Sequence, residues 1–231
     1  MTSAPKASSA PKARRSRAEQ RAETRGRMLQ AALDLIIEEG IRSVRHRAVA
    51  RRAGVALGST TYHFDSIEEL IVSAFQYWRE RALLVENPFY LRTGELLADY
   101  NGSVIPQAER ALVGAKIHAI SVGYMESQLS GKREDRLLEL AFHHESVRYP
   151  ALKELVMEEW QAQHDYLATV HHALGSAQPS VDARLTVALF RQIEQWVVIG
   201  DVEKPDMELA NRLLHRHLSL CIGAELPALD Q

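Results

Sequence analysis

Residues 45–64 read RHRAVARRAGVALGSTTYHF, and the spacing within them decides the class of the chain. Val49, Ala50 and Ala53 share one face of a short helix, Ala53-Gly54-Val55 makes a turn, and residues 56–63 leave room for two turns of a second helix. Ala50 has to be small because two helices cross there. Gly54, four residues on, can take the left-handed conformation that ends a helix, and Val55 plugs the small core beneath. This is a helix-turn-helix pattern. Helical hairpins that bind no nucleic acid share it, so the surrounding sequence has to discriminate.

Upstream, Leu29, Ala32, Leu33, Leu35, Ile36 and Ile37 recur at helical spacing and Gly40 follows as a stop, which predicts a helix over residues 21–39. Downstream, helices are predicted at about 67–85, 108–128, 134–146, 151–174, 181–199 and 206–221. Residues 86–106 are broken by Pro88, Gly94, Asn101-Gly102 and Pro106 and have no clear assignment. Twelve glycines and eight prolines punctuate the chain, and no Asn-Gly or Asp-Gly lies between alternating apolar runs. The expected fold is therefore all-α.

Charge divides the chain unevenly. Residues 1–64 carry 13 Lys and Arg against 5 Asp and Glu, a balance of +8, whereas residues 65–231 carry 15 against 25, a balance of −10. A basic amino-terminal quarter suggests contact with a polyanion; a solubilising tail is the alternative reading. Residues 1–18, with Lys6, Lys12, Arg14, Arg15 and Arg17, are expected to form a disordered basic arm that adds sequence-independent affinity for phosphates. No apolar run is long enough to span a bilayer, and the arm lacks a signal-peptide core. The single cysteine, Cys221, excludes an intrachain disulfide. A cytoplasmic protein is expected.

The helix ALDLIIEEG ending at Gly40, VARRAGV at residues 49–55, GSTTYHF at 58–64 and EEL at 68–70 together resemble the DNA-binding domain of the TetR family of bacterial transcriptional regulators. The likeness covers about residues 21–75 and is architectural beyond that. It implies an N-terminal three-helix helix-turn-helix domain over 19–66, followed by a larger helical ligand-binding and dimerisation domain over 67–231. The positions that meet DNA in the family correspond here to His46 and Arg47 at the start of the first helix of the motif. On its second helix they are Leu57, Gly58, Ser59, Thr61, Tyr62 and His63. Ser59 and Thr61 have the hydroxyls that read base edges, and Gly58 permits close approach. Three positions depart from the pattern: Thr61 stands where a Tyr is common, Ile67 where a Lys is frequent, and Ala56 where a small polar residue is usual. Thr60 takes a place that is usually apolar and inward-facing.

The resemblance further implies a homodimer formed through the last two helices, because a single motif reads only a few base pairs and two copies match a palindrome. Leu185, Leu189, Ile193 and Trp196 on one helix, with Leu209, Leu213, Leu214, Leu218 and Cys221 on the next, equally describe an intrachain core. An unknown small-molecule effector is expected in the helical domain. His118, Tyr124, His143, Trp160, His164, His171, Gln192 and Trp196 are candidates to line its pocket. No two histidines are three or four residues apart, and no nucleophile elbow or phosphate-binding Gly-rich loop occurs. Glu139 and His143 are the nearest approach to a metal pair, and Cys221 reads as packing. No catalysis, cofactor or metal is expected. The function implied is a sequence-specific, ligand-responsive regulator, most simply a repressor; the rivals are an activator of the same fold and a helical small-molecule-binding protein or enzyme with an incidental basic arm.

Overall fold

The computed structural model describes residues 16–83, 87–199 and 206–228. Among these residues there are ten α-helices and no strand. α1 (Arg17–Glu39) starts four residues before the predicted boundary because Ser16 and Glu19 form a capping box, each side chain accepting from the other's backbone N–H. The predicted arm over residues 1–18 thus overlaps the first two residues of α1, and residues 1–15 lie outside the described part. Two short helices follow, α2 (His46–Ala53) and α3 (Leu57–His63).

α4 (Ile67–Leu83) packs along α1. Met28, Leu29, Ala32, Leu33 and Ile36 of α1 close a core with Val49, Phe64, Leu70, Ile71, Ala74 and Phe75. Burying such side chains contributes on the order of 1.5–3 kcal/mol each. The core does not stop at residue 66, where the helix-turn-helix unit was expected to end. α4 completes it, and Leu138 and Phe142 of α7 (Arg133–Glu145) and Leu152 and Val156 of α8 (Pro150–Ala173) join it. The rings of Phe75, Trp78 and Phe142 cluster at that junction with centroids 5.3–6.0 Å apart, Trp78 stacked on Phe142 and Phe75 edge-on to it.

The segment without a clear assignment contains α5 (Pro88–Leu97), capped by the Asn87 side chain with Pro88 in the first turn, and a 3-10 turn over Ala98–Tyr100. Asn101 then adopts the left-handed region, at φ 46°. α6 (Gln107–Leu129), α9 (Pro179–Ile199) and α10 (Met207–Ile222) complete the helical body. α8 and α9 form its main helix pair, and α10 lies along α6. Phe89, Met125, Leu167, Phe190, Ile193 and Leu214 form one core of this body, and Ile105, Ile117, Val170, Leu174 and Leu218 another. The stripes of the last two helices are therefore shared. Ile193, Leu214 and Leu218 are buried within the chain, whereas Leu185 is 53% exposed, and Val181 and Leu220 are also open.

Candidate functional site

Two regions concentrate functional groups: the outer face of α2 and α3, and a cavity between the amino-terminal helices and the helical body.

The turn between α2 and α3 follows from its residues. Gly54 takes φ 64° and ψ 40°, and the N–H of Val55 donates to the Ala50 carbonyl at 3.0 Å. Thr60 is fully buried, yet its hydroxyl donates to Leu57 O at 2.7 Å, so a polar residue fits an inward position without an orphaned group. Phe64 is 1% exposed and belongs to the core, whereas Tyr62, two residues earlier, is 66% exposed. Leu57, Gly58, Thr61 and Tyr62 point outward, Ser59 and His63 are half-buried at the edge, and Arg47 is exposed beside the half-buried His46. All eight predicted residues thus cluster on α2 and α3.

The face is electropositive beyond those residues. The Arg21 guanidinium is 5.1 Å from the Tyr62 ring centroid and Arg25 is 5.0 Å from that of Phe64. Burial, then the charges of Arg21 and Arg25, lower the pKa of His63 and keep its imidazole neutral near pH 7. Arg45 and Arg51 are exposed on the same motif, while Arg52 is drawn away by Glu38. Ile67, where a phosphate-binding Lys was the family expectation, packs against the head core instead.

The cavity has a volume of about 1290 Å³. Gln30, Leu33 and Ile37 of α1 and Phe75, Trp78 and Arg79 of α4 form one wall. Tyr124 and Gln128 of α6, Arg136 and Glu139 of α7, Glu159 of α8, and Phe190 and Glu194 of α9 form the opposite side. Tyr90 and Tyr166 meet edge to face, centroids 4.6 Å apart, at its rim. Arg136 bridges Glu139 at 2.7 Å and Glu194 at 3.2 Å, and Arg79 pairs with Glu159 at 3.1 Å. Trp78 Nε1 donates to Asp135 at 3.0 Å, fixing α4 to α7.

Desolvation dominates the electrostatics. It raises the Glu194 carboxyl to about 7 against the attraction of Arg136, raises Glu159 against that of Arg79, and pushes Tyr90 up to about 12. Arg136 stays charged because Glu139 and Glu194 offset its own burial. A buried carboxyl near neutrality, ringed by tyrosines, can host a proton or the positive charge of a ligand.

Of the residues expected to line a pocket, Tyr124 alone lies on this cavity. His143 and Trp160 sit beside it, ring centroids 5.3 Å apart, with the cavity-lining Arg191 4.3 Å from the Trp160 centroid. Among the described residues, neither His143 Nε2 nor Trp160 Nε1 has a hydrogen-bond partner. His118 Nε2 lies 3.3 Å from Asn211 O, and His164 Nε2 is 3.0 Å from Ser180 Oγ. His171 is buried against Thr186 and His217, Trp196 packs on the core around Phe190, and Gln192 is exposed. Glu139 is engaged by Arg136. Sequence reasoning missed Tyr90, Arg136, Glu159 and Glu194, whose charges and rings look like an ordinary helix surface until the helices are assembled.

Residues 28–74 match the family described as "Bacterial regulatory proteins, tetR family". An HTH-type transcriptional regulator of Pseudomonas putida, CymR, is 36% identical over 68 residues, which are 29% of this chain and 34% of that protein. The chain thus spans about a third of that curated relative. A solved TetR-family member from Streptomyces coelicolor is 27% identical, with 84% of this chain and 98% of that one aligned at a TM-score of 0.60. The multidrug binding protein EbrR, complexed with imidazole, is 26% identical over 90% of this chain and 93% of its own, at a TM-score of 0.57. Further EbrR structures hold ethidium, malachite green and proflavin. A Rhodococcus transcriptional regulator at 18% identity and a TM-score of 0.65 shares the fold.

Proposed function

Since residues 28–74 belong to the tetR family of bacterial regulatory proteins, we propose that the chain is a ligand-responsive transcriptional regulator. It binds a palindromic DNA operator as a homodimer and represses from it. The observation that carries this reading is the outer face of α3, where Leu57, Gly58, Thr61 and Tyr62 stand clear of the core around Phe64 and Thr60. Such a helix enters a major groove with Thr61 and Ser59 toward base edges and Arg47 toward a phosphate. Val181, Leu185 and Leu220, left open on α9 and α10, are the side chains a partner copy would cover.

The effector belongs in the cavity, and its chemistry is that of a flat aromatic cation. Tyr90, Tyr124 and Phe190 offer ring faces and edges, and Glu159 and Glu194 offer negative charge. EbrR, of similar fold, holds ethidium and proflavin. A ligand there touches α1 and α4 as well as the helical body, and it releases DNA if it binds the DNA-incompetent conformer more tightly.

The test is selection of genomic fragments by the purified chain at about 150 mM salt, where nonspecific phosphate binding is weakened, with Arg47→Ala/Thr61→Ala as control. Enrichment of a palindrome that the double variant loses, and that ethidium displaces, supports the proposal. Absence of any enriched sequence overturns it.

A further inference from the structure

We propose that His171, His217 and Cys221, with Asp182 beside them, form a binding site for a zinc-like transition-metal ion on the face opened by α10.

His217 and Cys221 are four residues apart on α10, so both side chains project from one face, with Sγ 3.8 Å from Nδ1. In a tetrahedral zinc centre, with bonds of about 2.3 Å to sulfur and about 2.05 Å to nitrogen, that S···N edge is about 3.6 Å. His171 reaches the same point from α8. One donor atom from each of the three residues lies within 4.8 Å of the others, and among the described residues no other group of three or more His, Cys, Asp and Glu side chains converges in this way.

The hydrogen bonds leave a ligand unused. Thr186 Oγ1 lies 2.7 Å from Nε2 of both His171 and His217, and donates its one proton to the Asp182 carbonyl at 2.9 Å. Both imidazoles must then donate to Thr186, which leaves Nδ1 of each ring as a bare lone pair. For His171, which is 1% exposed, that nitrogen has no partner among the described residues. An ordinary polar network would not bury an unpaired acceptor beside a thiol, whereas a cation consumes it. The Asp182 side chain hydrogen-bonds the Cys221 thiol and adds negative charge beside the three converging donors.

The donor set selects the metal. Imidazole and thiolate favour Zn²⁺ or Co²⁺ over Mg²⁺ and Ca²⁺, which prefer oxygen cages. His217 and Cys221 are only half-buried, which leaves an entry path from the α10 side. The ion would tie α8, α9 and α10 together, and nothing in this inference depends on the regulator reading.

Co²⁺ titrated into the full chain under a non-thiol reductant tests it. One equivalent should give intense tetrahedral visible bands with a sulfur-to-cobalt charge-transfer band, both erased by Zn²⁺ and untouched by Mg²⁺. Cys221→Ser should lose the charge-transfer band while its circular dichroism stays native. His217→Ala should weaken binding at least about tenfold, the scale on which ligand-shell changes act. Zn²⁺ should raise the melting temperature of the native chain and not of Cys221→Ser. A native chain without the charge-transfer band, or a Cys221→Ser spectrum identical to native, overturns the proposal.

Discussion

At Gly54 the backbone sits at φ 64°, and a Cβ built there would meet no atom within 4 Å. Gly54→Ala therefore costs only the backbone strain of an L-residue in the left-handed region, about 1–2 kcal/mol. Denaturant unfolding should show that loss, and an unchanged midpoint would contradict it. Gly175 differs: at φ 74°, an added Cβ would lie 2.4 Å from Arg110 Cζ. Glu194 makes stability depend on pH. Its carboxyl has an ordinary value of 4.5 and is raised to about 7 by burial, so between those values the folded chain holds a proton that the unfolded chain has released. The stabilisation is present below about 4.5 and is lost as pH rises through about 7. Urea unfolding from pH 5 to 8 should show this decline in the native chain and a flatter profile in Glu194→Gln. Binding of an aromatic cation should strengthen over the same rise, because only the ionised carboxyl attracts it. Parallel profiles for the two proteins would remove Glu194 from both roles. Ala50, Gly54 and Val55 are legible from spacing alone, because local sterics decide them. His217 and Cys221 were legible too, as an i,i+4 pair, but a search confined to pairs of histidines passes over them. Their approach to His171 is tertiary and left no trace in the order of residues.

Helices α6 to α10 begin and end within two residues of their predicted limits, since apolar periodicity and Gly or Pro punctuation report them directly. The two exceptions are the starts of α5 and α1, where the capping signals are masked by their surroundings. Pro88, a breaker inside a helix, is here the first-turn proline of α5, with Asn87 accepting from Phe89 N–H at 2.9 Å. Ser16-x-x-Glu19 was hidden in a run of Arg, Ala and Ser and is the cap of α1. Ser16→Ala should cost about 1 kcal/mol and speed amide exchange in the first turn of α1, leaving Leu70 and Ile71 protected. Uniform exchange rates in the two proteins would show that the cap does not hold the helix end.

Across the whole molecule, the basic head and the acidic body were visible as charge sums of +8 and −10, but the cavity was not. Its walls draw on residues from Gln30 to Glu194, and no local pattern marks a side chain that faces a space lined by seven helices. Ala162 lies on the rim in an exposed position. Ala162→Trp should fill the opening without disturbing a core, cutting the response to an aromatic cation while operator affinity stays native; equal loss of both would mean the cavity is not the effector site. Arg47→Ala removes one phosphate contact from each protomer of the dimer and should lower the slope of log affinity against log salt by about 1.8. α1 spans both regions as one unbroken rod: Arg21 rests on Tyr62 at one end, and Leu33, twelve positions along, faces the cavity. At 1.5 Å per residue that lever is about 18 Å long. Pivoting it by about 5° at Leu33 carries Arg21 about 1.6 Å sideways, more than half a hydrogen-bond length. A lodged molecule need only wedge one end of a stick for the other to lose its grip.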